Sequence, residues 1–179
     1  MEKKELEYLI KSGEGINLEF KENFDSKSIS KSIVAFANSE GGRILLGIND
    51  KGEVKGVHIT NKLKSEIQDI ARKCDPEVKI ALESFENILI MNIYEGKNKP
   101  YKCSNGFFIR QGSSSQKLST DEIREFFNKE RKIIFDERIN PEFSFKNGFD
   151  RKKLDIFMEK AKISRTIPEK EILKNLGTL

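Results

Sequence analysis

Two carboxylates five residues apart, Glu14 and Glu19, precede an ammonium at Lys21 in the stretch Gly13-Glu14-Gly15-Ile16-Asn17-Leu18-Glu19-Phe20-Lys21. Alternation along an extended piece from Asn17 to Glu22 would put Glu19 and Lys21 on one face, with the preceding loop able to fold Glu14 back towards them. Asp50, just beyond the apolar run Arg43 to Ile48, is the candidate for a third acid. Gathered at one point, Glu14, Glu19 and Asp50 would bind Mg²⁺ or Mn²⁺. The metal would polarise a phosphodiester and activate water, while Lys21 stabilised developing negative charge. The competing reading makes Glu14, Glu19 and Lys21 surface ion-pair partners and Asp50 a turn residue within Asn49-Asp50-Lys51-Gly52. Spacing alone favours that reading, because Glu-x-Lys recurs by chance in a chain that is 35% charged.

A second candidate is basic. Lys97, Lys99 and Lys102 surround Tyr101, and Phe107, Phe108 and Arg110 lead into Gly112-Ser113-Ser114-Ser115 and Lys117. Cations interleaved with aromatics, followed by a flexible hydroxyl-rich turn, suit a phosphate backbone with base stacking. Lys97, Lys99, Lys102, Arg110, Ser113, Ser114 and Lys117 are the residues assigned to that contact. Equally, Phe107 and Ile109 could be core and the lysines a solvated edge. Alternation requires one of Phe107 and Phe108 to be core.

The third segment is Ala35-Phe36-Ala37-Asn38-Ser39-Glu40-Gly41-Gly42-Arg43. Its double glycine follows a helical pattern instead of opening one, so the helix-dipole argument for phosphate does not apply; of a tight helix-to-strand junction and an anion-holding nest, the junction is expected.

The elements around these segments are legible. Leu6, Leu9 and Ile10 mark a helix from Glu2 to Ser12. Asp25 or Ser26 caps a second, with Ile29, Ile33, Val34 and Ala37 on one stripe. Arg43 to Ile48 reads as a buried strand that turns at Asn49–Gly52 into Val54–Val57, making a hairpin. Thr60 opens a helix through Leu63, Ile67, Ile70 and Ala71. Val78–Phe85, Ile88–Tyr94 and Phe107–Arg110 are further strands, and Ser119 with Glu122 forms a capping box for a helix holding Ile123, Phe126 and Phe127. A loop-like stretch, Phe135 to Gly148, leads to a helix with Leu154, Phe157, Met158 and Ala161, and a last helical start spans Pro168 to Leu176. The expected division is a domain over 1–132 and a helical extension over 133–179, the chain being a fragment of a longer protein.

The 33 Lys and Arg against 29 Asp and Glu leave a net charge of +4, mildly basic and far from a polycation. No stretch reaches the roughly 20 apolar residues that span a bilayer, and Met1–Glu5 lacks a signal core, so a cytoplasmic location is expected. Cys74 and Cys103 are remote in sequence and His58 is the one histidine. Disulfide frameworks, structural zinc and His-based nucleophile pairs are therefore poor readings.

Taken in order, the pieces Glu14 to Lys21, Ala35 to Gly52 and Lys99 to Ser114 resemble the signature of the Schlafen AlbA-2 domain, including proteins described as divergent AAA-4 type. The resemblance covers residues 1 to about 130. It implies an α+β fold, a mixed β-sheet with flanking helices, found at the N-terminus of microbial proteins described as transcriptional regulators. A winged-helix or ATP-binding region commonly follows it. In animal Schlafen proteins similar domains form a metal-dependent RNA-cleaving core built on two glutamates five apart and a later Asp. The matching positions here are Glu14, Glu19 and Asp50. Such nucleases use a duplicated, horseshoe-like core, and this chain carries one copy, so a homodimer is expected to supply the second. Three functions follow in order of expectation: a DNA- or RNA-binding regulatory module, a Mg²⁺- or Mn²⁺-dependent endoribonuclease, and a dimerisation or sensing module without nucleic acid.

Overall fold

In the computed structural model the chain divides into two compact units, Met1–Ile134 and Phe135–Leu179. The structure describes residues 3–129 and 149–163, together with Pro168, Glu171, Leu173 and Lys174. The first unit runs α1 (Lys3–Ser12), β1 (Leu18–Lys21), α2 (Ser26–Asn38), β2 (Gly42–Leu46), α3 (Asn61–Arg72), β3 (Ile80–Phe85), β4 (Ile88–Ile93), β5 (Lys102–Cys103), β6 (Gly106–Gln111), β7 (Ser114–Lys117) and α4 (Thr120–Lys129). It is an α+β arrangement of two sheets, one mixed in the order β1-β2-β4-β3, the other antiparallel in the order β5-β6-β7.

The larger sheet is buried on both faces. Ile44, Leu46, Leu89 and Met91 point to a core shared with α2 and α3, while Leu45, Phe20, Ile88 and Ile90 meet Leu6 of α1 on the other side. This explains the apolar runs Ile44–Leu46 of β2 and Ile88–Met91 of β4, which show no alternation because neither face is wet there. β1 and β2 are parallel, joined through α2 as a crossover, with Glu19 opposite Ile44 and Lys21 opposite Leu46. The caps are those read from the sequence. Asp25 accepts from Ser28 N, Thr60 from Leu63 N, and Ser119 and Glu122 exchange side-chain-to-backbone bonds. That exchange holds the Glu122 carboxyl below its usual range.

Two expectations are corrected. Val54–Val57 does not pair with β2 as a hairpin. Over Gly42–Leu46 both edges of β2 are taken, by β1 and β4, and Val54 keeps only a single bridge to Ile48 beyond the strand. Nor are Ser114 and Ser115 part of a flexible turn: they begin β7, an edge strand paired with β6 from Gln111↔Ser114 to Phe108↔Lys117. The turn proper is Gly112-Ser113, with Gly112 at φ +59°, the conformation a two-residue hairpin asks of its first central residue.

The double glycine is a junction. At φ +77° a Cβ on Gly41 would lie 2.7 Å from Ile93 O, and one on Gly42 would enter the Phe36 ring. Asn38, the last residue of α2, is buried and clamps the second sheet. Its Nδ2 donates to Tyr101 O and Phe108 O, both at 2.8 Å, and its Oδ1 accepts from Tyr101 N at 2.7 Å.

The second unit contains α5 (Arg151–Lys160), capped by Asp150, whose carboxylate accepts from Lys152 N and Lys153 N. The loop expected over Phe135–Gly148 and most of the expected helix Pro168–Leu176 lie outside the described residues. Among the described residues no helix is long and apolar enough to cross a membrane.

Asn38→Ala strands one donor and two acceptors in the core, so it should lower stability by ~3 kcal/mol. Urea unfolding followed by circular dichroism measures this, and a loss under ~1 kcal/mol would mean that water replaces the amide.

Candidate functional site

Glu19, on β1, is buried at 5% exposure. Its Oε1 accepts from Ser32 Oγ of α2 at 2.7 Å and meets Lys21 Nζ at 2.7 Å, and its Oε2 pairs with Arg110 Nη1 of β6 at 2.5 Å. Arg110 has no side-chain exposure at all. It reaches across the unit: Nη2 donates to Gly15 O at 2.7 Å, Nη1 contacts Ser115 Oγ at 3.1 Å, and the guanidinium lies 4.5 Å from the centre of the Phe36 ring. Burial pushes the Arg110 guanidinium below its usual range, and the negative charges of Glu19 and Glu14 oppose that shift. Its backbone N–H is used too, donating to Ser39 Oγ.

Glu14 does fold back on β1, but as a backbone cap. Its Oε1 accepts from Phe20 N at 2.7 Å. Lys21 and Glu19 share a face as the alternation predicts, and they form an ion pair. Asp50 stays on the exposed Asn49–Gly52 turn, whose geometry is set by Asn49 Oδ1 accepting from Lys51 N and Glu53 N.

The expected metal set is therefore not assembled. Among the described residues no three His, Cys, Asp or Glu side chains stand where they could share an ion. The donors do not fit a divalent cation: both Glu19 oxygens are engaged, Glu14 is bound to backbone, and an ammonium and a guanidinium already neutralise the carboxylate. The cation that β1 requires is Arg110, a residue assigned above to nucleic acid. Arg110 therefore leaves that contact set, since a fully covered guanidinium cannot touch an external phosphate.

The remaining basic residues divide. Lys99 is largely spent on structure, its Nζ donating to Ser39 O at 2.8 Å and to Glu95 Oε1 at 2.7 Å. This places a cation on the C-terminal end of α2. Lys97, Ser113, Ser114 and Lys117 are exposed. Lys102 is exposed as well, with Asp75 Oδ2 at 3.3 Å. Phe108 is the core aromatic, and Phe107 is half-buried on the other face, edge-on to Phe127 of α4 with ring centres 6.1 Å apart. Together Phe107, Phe127, Lys99, Lys102, Asn98 and Asp75 line a groove of about 400 Å³. The contribution of α4 to this groove is the part that the sequence reading missed.

Residues 14–119, more than half of the chain, match the family described as Schlafen, AlbA_2. This chain belongs to the Schlafen AlbA_2 family. Among solved structures, the DIP2311 protein from Corynebacterium diphtheriae is similar at 15% identity and a TM-score of 0.48, over 92% of this chain and 33% of that one. The AlbA_2 chain thus spans about a third of that protein's length.

In this AlbA_2 domain Arg110→Met should cost ~3–5 kcal/mol, the usual penalty for removing one partner of a buried pair. With Glu19→Gln in the same chain, the loss in the double variant should fall short of the sum of the two single losses by roughly 1–3 kcal/mol. Denaturant unfolding of the four proteins measures the difference, and simple additivity would show that the residues are independent. Because the donors are engaged, Mn²⁺ and chelator should leave the melting temperature of the parent chain unchanged. A Glu19-dependent rise with Mn²⁺ would restore the metal reading.

Proposed function

We propose that this chain is a nucleic-acid-binding module of the kind found in transcriptional regulators, with DNA as its target. The observation that carries the reading is the groove in which Phe107 and Phe127 stand beside the exposed Lys102. Aromatic faces hold unstacked bases and ammonium groups hold the phosphates between them. The groove is within the size range of small-ligand sites, large enough for a base but shallow for a whole duplex. Family membership supports the same direction.

The electrostatics suit exchange of partners. Lys102 and Asp75 form a long, exposed pair, which contributes little and can yield to a phosphate. Among the described residues neither Lys97 nor Lys117 has an ion-pair partner, and Ser113 and Ser114 present hydroxyls beside the hairpin turn. Arg110 acts beneath that hairpin by holding β6 to β1 and α2, so its part is to position the contact residues. The nuclease alternative has no comparable support, since Glu14, Glu19 and Asp50 do not converge.

Fluorescence anisotropy with labelled single-stranded and duplex DNA, and with RNA of the same sequence, tests the proposal across a salt series. Affinity should fall steeply with salt. Lys97→Ala, Lys102→Ala and Lys117→Ala should each shallow the log–log slope by about one unit. Phe127→Ala should weaken single-strand binding by roughly 5- to 100-fold while leaving the salt slope in place. Binding that ignores both salt and the triple lysine variant would sink the proposal.

A further inference from the structure

The fold brings together two cysteines that the sequence keeps apart. Cys74 follows α3 and Cys103 ends β5. The residues beside them pair reciprocally, Asp75 N donating to Lys102 O at 2.9 Å and Lys102 N to Asp75 O at 2.8 Å. Two such bonds between one pair of residues mark the hydrogen-bonded position of an antiparallel ladder. Cys74 and Cys103 flank that one bridge on the same side, and Cys74, whose N–H turns back to Ala71 O, lies near enough to Cys103 to feel its charge. A disulfide asks for Cα atoms roughly 4.4–6.8 Å apart, a range open to residues placed in this way.

The surroundings agree. Both thiols are free and buried, and both belong to the same apolar cluster. Cys74 Sγ donates to Ile70 O at 3.4 Å and Cys103 Sγ to Gly106 O at 3.7 Å, so each has only a weak backbone partner to give up. We infer that Cys74 and Cys103 are a site of reversible covalent modification, a disulfide between the segment after α3 and β5 that a small-molecule disulfide closes and a thiol reopens.

The exchange balances as follows. The thiolate of Cys103 attacks one sulfur of the small disulfide, breaking its S–S bond and expelling one thiolate. Cys74 then loses its proton to solvent, and its sulfur displaces the second small thiolate from the mixed disulfide. Two protein S–H bonds are lost and one S–S bond forms. The small disulfide is reduced to two thiols, which carry away the two protons. Burial first, and the neighbouring Cys103 second, push the Cys74 thiol up to about 12. The resolving step is therefore slow near neutral pH and quickens as pH rises. Closure would staple the end of α3 to β5 at Asp75 and Lys102, which line one wall of the groove.

The test is to hold the folded chain in excess oxidised glutathione and follow intact mass, then map the cross-link by digestion. The expected product has lost the mass of two hydrogens, carries a Cys74–Cys103 peptide link, melts roughly 5–10 °C higher, and reverts with dithiothreitol. Cys103→Ser should abolish that product. Because buried thiols react slowly, the reduced chain is also refolded in the same oxidant. A linked chain with the native circular dichroism spectrum supports the site. Unchanged mass in both arms, glutathione adducts that persist, cross-links between chains, or a linked chain that fails to refold would each overturn it.

Discussion

A carboxylate and a guanidinium withdrawn from water survive only when nearly all of their hydrogen-bonding capacity is met inside the protein. Glu19 and Arg110 satisfy that condition with groups drawn from four separate places in the first unit: Lys21 on the same strand as Glu19, Ser32 on α2, the Gly15 carbonyl in the loop before β1, and Ser115 on β7. The second sheet has three short strands and contributes Cys103 and Phe108 to the core shared with α2. Two polar clamps also fasten it to α2, the Arg110 set at one place and the Asn38 amide at another. Hydrophobic burial makes the larger sheet and its helices, and buried polar bonds fix where the smaller sheet sits on them.

How much of this was legible depends on whether a local rule governs the residue. Caps were legible because they are settled within four residues, as Asp25, Thr60 and the Ser119–Glu122 box show. The strands Ile80–Phe85 and Ile88–Ile93 were legible from β-rich composition around a short turn. The hairpin expected after β2 shrinks to the one antiparallel bridge between Ile48 and Val54 because strand choice is a tertiary matter: β2 meets β1 through a helical crossover and β4 from far along the chain, and both of its edges are taken. β7 was hidden by composition, since Ser-Ser-Gln-Lys has little strand propensity, although Gly112-Ser113 between it and β6 is a usable hairpin sign.

The fate of Arg110 is the most instructive. Phe108 and Arg110 are two apart on one strand, so they share a face, and once Phe108 is core Arg110 must point inward as well. Composition said cation and therefore surface; parity said interior. The burial of its partner, Glu19, on a strand five residues after Glu14, could not be read locally at all. It depends on β6 arriving from ninety-one residues away. That same distance separates the acidic and basic segments that the sequence presents as two independent candidate sites, and the fold merges part of each into one internal network.

Glu14 has a wider consequence through the bond to Phe20 N. β1 is the outermost strand of the larger sheet, and an outermost strand offers its free amides to any passing chain. Here the Gly13–Asn17 loop doubles back over that flank: Gly15 N donates to Leu18 O, and the carboxylate takes the Phe20 amide. A negatively charged stopper thus closes the sheet on that side. Polymerisation by strand addition has to begin at β3 or on the smaller sheet, where Glu83 and Lys117 put charge on the flanking strands.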